Sequence, residues 1–252
     1  MSRRRLPFTH ELSTGLLGVL EFCSTHWKSI RALNVSLIAA TRSLIAAARL
    51  SAVACAVVLT ACSAPQVSLA EEPREYVATD YDVVLARWTR TERLMALSEL
   101  DVLLTVTATF ESWDFRWAYV VRYAQDYRLS VEQRRVLLES TLNESRSHHQ
   151  FFVALYGGNR RWIDLTKPTS AWIVRLVDDK GNETAPDEIV PIVKPGPIER
   201  TYFPYASVWR SVFRIKFPAS TANGPTIAPD AKHLGLRFAG ALGSEELQWE
   251  LR

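Results

Sequence analysis

The most regular stretch of the chain is Leu100 to Phe110, LDVLLTVTATF. Val102, Leu104, Val106 and Ala108 fall on one side of it, and Leu103, Thr105, Thr107 and Thr109 on the other. A period of two with many β-branched residues predicts a strand. The period then changes. Trp117, Val120, Val121, Ala124 and Tyr127 recur at helical spacing, which predicts a helix over Trp113 to Leu129. Ser130-Val131-Glu132-Gln133 reads as a capping box, Ser130 serving as N-cap and Gln133 as N3. It opens a second helix to about Arg146, with Leu137, Leu138 and Leu142 as the buried stripe. Val83 to Thr91 is read as the hairpin partner of the first strand, with a helix as the alternative.

Beyond these helices the pattern is that of short strands between turns. Phe151 to Tyr156 (FFVALY) is apolar on both faces, as a central strand requires. Gly157-Gly158-Asn159 turns it into a strand over Arg161 to Leu165. Ala171 to Val177, Ile189 to Val193, Ile198 to Phe203, Arg210 to Phe217, Leu234 to Phe238 and Glu246 to Leu251 are the further strands. The expected fold is therefore a β-rich α+β domain, β-sandwich-like, with a two-helix insertion after an early strand. No internal repeat is visible.

Composition changes the picture at the N-terminus. The chain of 252 residues carries a net charge of +3, but residues 1–61 hold seven of its 30 Lys+Arg and two of its 27 Asp+Glu. That leaves 23 basic and 25 acidic residues from Cys62 onward, a formal charge of −2. The basic excess belongs to the leader and is no nucleic-acid signal. Cys23, Cys55 and Cys62 are the three cysteines, so none follows Cys62. This excludes a disulfide scaffold, a CxxC redox site and a thiolate zinc site in the domain.

Arg49 precedes an apolar run, Leu50 to Ala61 (LSAVACAVVLTA), that ends in small residues. This is the layout of a signal peptide: a positive region, an apolar core, a small-residue cut site. Leu59-Thr60-Ala61-Cys62 resembles the lipobox of bacterial lipoprotein precursors. The resemblance covers the leader only, and implies cleavage before Cys62 and a diacylglycerol on its sulfur, with a palmitate-like chain on the new amine. Two or three acyl chains give lasting attachment to a membrane. Ser63 follows the cysteine where an aspartate would favour retention at the inner membrane, so the resemblance implies the outer membrane, facing periplasm or surface. A retained transmembrane helix, an Arg-rich transit peptide and a coincidental match with Cys62 left uncut are the alternatives. The first needs about 20 apolar residues, which Arg49 and Arg42 interrupt. The 61-residue leader exceeds the usual length of roughly 15–30 residues. An over-extended gene start, with the true initiator at a position such as Val35 or Leu44, accounts for that. The organisation expected is a signal peptide over 1–61, a lipidated tether over 62–79 and a single domain over 80–252. A flexible tether of that length spans on the order of 20–25 Å.

Candidate chemistry is sparse. Glu144 and His148 are spaced i, i+4, as zinc ligands on a helix can be, but no third ligand is near and a solvated helix end explains them equally. No metal or cofactor is expected. The mature chain shows no G-x-S-x-G and no Gly-rich phosphate loop, and no catalytic residue is assigned. The aromatic helix from Trp113 to Tyr127 reads as core. Tyr202, Phe203, Tyr205 and Trp209 fall between strands and form the candidate binding surface. The expectation is a non-enzymatic envelope module that binds an envelope protein or polymer. The alternatives are an envelope hydrolase with a site assembled from distant residues, and a carbohydrate- or lipid-binding module.

Overall fold

The structure is a computed structural model and describes residues 65–72, 75–96, 101–222 and 224–252. Residues 64–252 form one unit with a continuous apolar core. The elements are α1 (Tyr81–Trp88), β1 (Thr89–Ala96), β2 (Asp101–Phe110), α2 (Trp113–Asp126), α3 (Val131–Ser147) and β3 (His148–Tyr156). Then follow β4 (Ile173–Asp178), β5 (Glu183–Thr184), β6 (Glu188–Ile192), α4 (Pro197–Tyr202) and β7 (Ser211–Pro218). A small hairpin of β8 (Ser220–Thr221) and β9 (Gly224–Pro225) leads to β10 (His233–Gly240) and β11 (Gly243–Glu250).

The main sheet has the order β1-β2-β3-β7-β6 and the second β11-β10-β4-β5, both antiparallel. Register assigns the faces. Val106, Ala108 and Phe110 stand opposite Leu155, Val153 and Phe151, and the last two oppose Phe213 and Ile215. This face meets the second sheet, where Trp249 packs on Phe110 and Phe151 at 6.4 and 5.5 Å. The other face carries Thr105, Thr107, Thr109, Phe152 and Ala154 and is covered by α2 and the residues after α4. Phe203 stacks on Phe152 at 3.8 Å and on Phe115 of α2 at 5.8 Å. With both faces covered, Phe151 to Leu155 of β3 are apolar and buried on both sides of the strand. The result is the β-rich α+β, sandwich-like fold with helices after an early strand.

Three local expectations need correction. Val83 to Thr91 is not one strand. Tyr81, Val84, Leu85 and Trp88 are the buried residues, a helical spacing, and they form α1. At Thr89 the hydroxyl donates to Leu85 O (2.7 Å) and the chain turns extended as β1 against β2. Ile198 to Phe203 is a helix, because Pro197 supplies a preset first residue and the Glu199 carboxylate accepts from Gly196 N (2.8 Å). Arg161 to Leu165 is a series of turns: Asn159 accepts from Arg161 N and Asp164 from Thr166 N, side-chain bonds that compete with a ladder. The capping box at Ser130 is present, with both of its hydrogen bonds. The stripe it was expected to bury is only half-buried, and no residue of α3 is fully enclosed.

The segment read as a tether belongs to the domain from Val67 onward. Val67 is buried and bridges Leu251 in parallel, its N–H donating to Glu250 O (2.8 Å). Leu69 and Tyr76 pack on the core. The Tyr76 hydroxyl donates to buried Asp114, which also accepts from Trp88 Nε1 (2.7 Å) and Arg87 (3.2 Å). An apolar valine in a polar, Pro-containing stretch was the signal passed over. No helix among the described residues is long and apolar enough to cross a membrane.

Candidate functional site

The main sheet has two chemically different ends. At the N-terminal end, Val67 meets Leu251 and β2 stops at Phe110. There Glu111 follows the strand directly and Ser112 caps α2, its hydroxyl accepting from Phe115 N (3.2 Å). One turn on, Arg116 folds back so that its Nε donates to Glu111 O (2.8 Å). Its Nη1 donates to both Thr141 O (3.1 Å) and the Glu144 carboxylate (3.0 Å), tying α2 to α3. Gln150 donates to Glu111 Oε2 (2.5 Å), and Arg214 faces Oε1 at 3.6 Å. Lys216 joins Glu144 (2.9 Å) and Glu188 (3.4 Å). Burial works against the Glu144 charge, yet hydrogen bonds from Lys216 and Arg116 outweigh it and hold its carboxyl below the usual range. Glu111, Glu144 and Glu188 thus face Arg116, Arg214 and Lys216 in one network.

Next to it, Glu71, Glu111, His148 and His149 line a cavity of about 130 Å³. Burial lowers the His149 pKa to about 4, with His148 adding to the effect, and the ring lies against Phe110 at 5.9 Å. Such an imidazole is neutral at pH 7 and too weak a base to take a proton there efficiently. The expected helical pairing of Glu144 with His148 does not form. Ser147 ends α3 and His148 has extended backbone, its Nδ1 bonded to Ser147 Oγ (2.9 Å). No group of three potential metal ligands is gathered among the described residues.

The candidate aromatics are divided: Tyr202, Phe203 and Tyr205 lie on the helix-covered face near Thr109 and Phe152, and Trp209 lies at the opposite end of the sheet. Tyr202 and Phe203 are buried: Tyr202 packs edge-on against Tyr81 (5.7 Å), and its hydroxyl donates to Asp126 (3.0 Å). Tyr205 is half-buried, and its hydroxyl sits between Thr109 Oγ1 (2.6 Å) and Phe152 O (3.2 Å); burial pushes its pKa far above the ordinary tyrosine value. These three cover the main sheet because α4, unlike the expected strand, lays its end on that face. Only Trp209 is open, at 73% exposure. Sequence reasoning missed its companion. Trp162, 47% exposed, lies in the turns after β3, and Arg160 donates to Val208 O (3.1 Å), joining the two loops. The signal was available: Arg160-Arg161-Trp162 stands between turn-forming Gly157-Gly158-Asn159 and Asp164.

Cys62, Leu59, Thr60 and Ala61 lie outside the described residues. No family model, no curated protein and no solved structure matches this chain.

Proposed function

We propose that this chain is a bacterial lipoprotein precursor, cut before Cys62, whose β-rich domain serves the cell envelope as a non-enzymatic binding or assembly module. The observation that carries the reading is the apolar run from Leu50 closed by Leu59-Thr60-Ala61-Cys62, with Ser63 directing the product to the outer membrane. Two features support it. The first core residue is Val67, so a chain beginning at Cys62 keeps the whole described core. No cysteine follows Cys62, which leaves its thiol without a competitor for lipid in the mature chain.

For the hydrolase alternative, His149 is a weak base at pH 7, whereas His148 lines a cavity with Glu144, Asp187, Glu188 and Lys216. Metabolic labelling with a palmitate analogue tests the anchor. The wild type is expected to be tagged and Cys62→Ala to be blank. Equal labelling of the two refutes the assignment.

A further inference from the structure

The two loops that carry Trp162 and Trp209 have no work in the core. Among the tryptophans of the described residues these alone are exposed. Their neighbours at this end are open as well. Val193 follows Ile192, which pairs with Val212 just beyond Trp209, and is 85% exposed. Val208 and Tyr156 are also exposed. The basic residues follow the same geography. The connections 157–172, 193–196 and 203–210 contain one acid, Asp164, already engaged by Lys167 (3.1 Å) and Thr166. Arg160, Arg161 and Lys194 are exposed and have no acid partner among the described residues. In a domain of net charge −2 these three connections are thus net basic and bear the exposed tryptophans, while Glu99 of the neighbouring β1–β2 connection and Asp101 at the start of β2 are acids in the sequence.

We infer that this end, built on Trp162, Trp209, Arg160, Arg161 and Lys194, docks onto an anionic phospholipid surface. Indole rings settle at the headgroup level, apolar body toward the acyl chains and N–H toward water. Basic side chains beside them pair with lipid phosphates and are drawn by the negative potential of such a leaflet. Shape favours a planar partner. The cavities beside Arg87, His149, Lys216 and Leu129 are lined by none of these residues, and Trp162 and Trp209 are exposed on the connections after β3 and before β7. A glycan or peptide would need a groove between the aromatics; a bilayer needs only their tips.

The position of this end adds a direction. Thr105, opposite Tyr156, lies five residues along β2 from Phe110, where the N-terminal segment enters, a separation of roughly 17 Å along the strand before loops are added. Four residues separate Cys62 from Val67. The candidate docking loops therefore lie at the other end of β2 from the segment that leads back to Cys62.

Flotation of residues 64–252, which form a unit with its own core, tests this without the lipid. Vesicles of phosphatidylcholine alone are compared with vesicles containing phosphatidylglycerol. The domain is expected to float with the second and not the first, with a blue shift of tryptophan emission and a loss on adding salt. Trp162→Ala with Trp209→Ala should lower partitioning more than about tenfold, as should Arg161→Glu with Lys194→Glu. Tyr127→Ala with Val136→Ala, exposed apolar residues on the helices, should leave it unchanged. Absence of flotation by the wild type overturns the inference, and so does equal binding by the double tryptophan variant. Either result leaves the anchor reading standing, since Cys62 is absent from the protein used. A blank labelling result would likewise leave the docking surface intact.

Discussion

The two ends of the main sheet solve opposite problems. At the N-terminal end, charged groups have been drawn inside: Arg116 and Glu111 are both buried, yet each faces partners of opposite sign or hydrogen-bonding carbonyls and amides. At the loop end, apolar groups have been left outside: Trp209 and Val193 are exposed. Burying an ion costs several kcal/mol unless it is paired, so the pairing of these groups is explained by the fold that holds them, although Arg116 Nη2, Glu111 Oε1 and Arg214 Nε lack a hydrogen-bond partner among the described residues. An exposed tryptophan is different. It forgoes roughly 1.5–3 kcal/mol of burial that an apolar side chain of its size can contribute, and the fold gains nothing in return. Unusual chemistry inside thus points to architecture here, and ordinary chemistry outside points to a partner.

The harshest test of that contrast is to open the charged end. Arg116→Leu keeps the bulk of the stem but strands Glu111 beside α2 and removes the link to Glu144. Loss of one partner from a buried pair costs about 3–5 kcal/mol. Urea unfolding should show that loss, and Arg116→Leu combined with Glu111→Leu should recover part of it, since two apolar groups leave less uncompensated charge. A cost below about 1 kcal/mol for the single variant would mean that water reaches the network and that its charges are free to meet a ligand.

How much of this was legible beforehand differs between the ends. The strand β2, the helices α2 and α3 and the Ser130 capping box follow from local periodicity and side-chain chemistry, and the structure agrees on each. The failures were cases in which two local readings competed. Tyr81, Val84, Leu85 and Trp88 have helical spacing, but Thr89 and Thr91 extend the same window and tilted it toward a strand. Pro197 and Glu199 cap a helix at the start of a segment whose later residues are strand-like. The charged network was not legible, because Glu111, Arg116, Glu144, Gln150 and Arg214 come from separate elements and nothing local marks them as neighbours. The aromatic surface was half legible. Composition locates the cluster at Tyr202 to Trp209, but only the path of the chain over the main sheet decides that Tyr202 and Phe203 turn inward and Trp209 outward.

The second test moves to the histidine beside the network and uses pH. His149 has a folded pKa of about 4 against an ordinary value of 6.5, through burial and the neighbouring His148. The depressed value sets the sign. Above pH 6.5 both folded and unfolded chains hold it neutral and it contributes no pH dependence. As pH falls, the unfolded chain takes up the proton first, so stability is lost between pH 6.5 and about 4. The full shift corresponds to at most about 3 kcal/mol, less because the half-buried ring retains some solvent. His149→Phe, beside Phe110 and opposite Phe217, should flatten that segment of the stability–pH curve. Parallel curves for variant and wild type would show that other groups carry the acid sensitivity.

The smallest expected effect is the most discriminating for the loop end. Trp209→Ala should change folding stability by no more than about 0.5 kcal/mol, the usual range for a surface substitution. For a domain of this size that moves the melting temperature by less than about 2 °C. The reason is that the loop is held by its neighbours. Tyr205 is fastened to Thr109 and Phe152, Val208 O accepts from Arg160, and Arg210 donates to Thr107 Oγ1 (2.8 Å). The residues on both sides of Trp209 are therefore tied to β2, β3 and the loop after β3, while its side chain is left exposed. Trp249→Ala supplies the contrast. That ring is fully buried against Phe110 and Phe151, its Nε1 donating to Trp88 O (2.9 Å), and its removal should cost about 3–5 kcal/mol. A loss of about 2 kcal/mol or more in Trp209→Ala would mean that the indole folds back onto the domain in solution and stabilises the loop itself. The exposed tryptophan would then be part of the architecture, and the difference between the two ends would disappear.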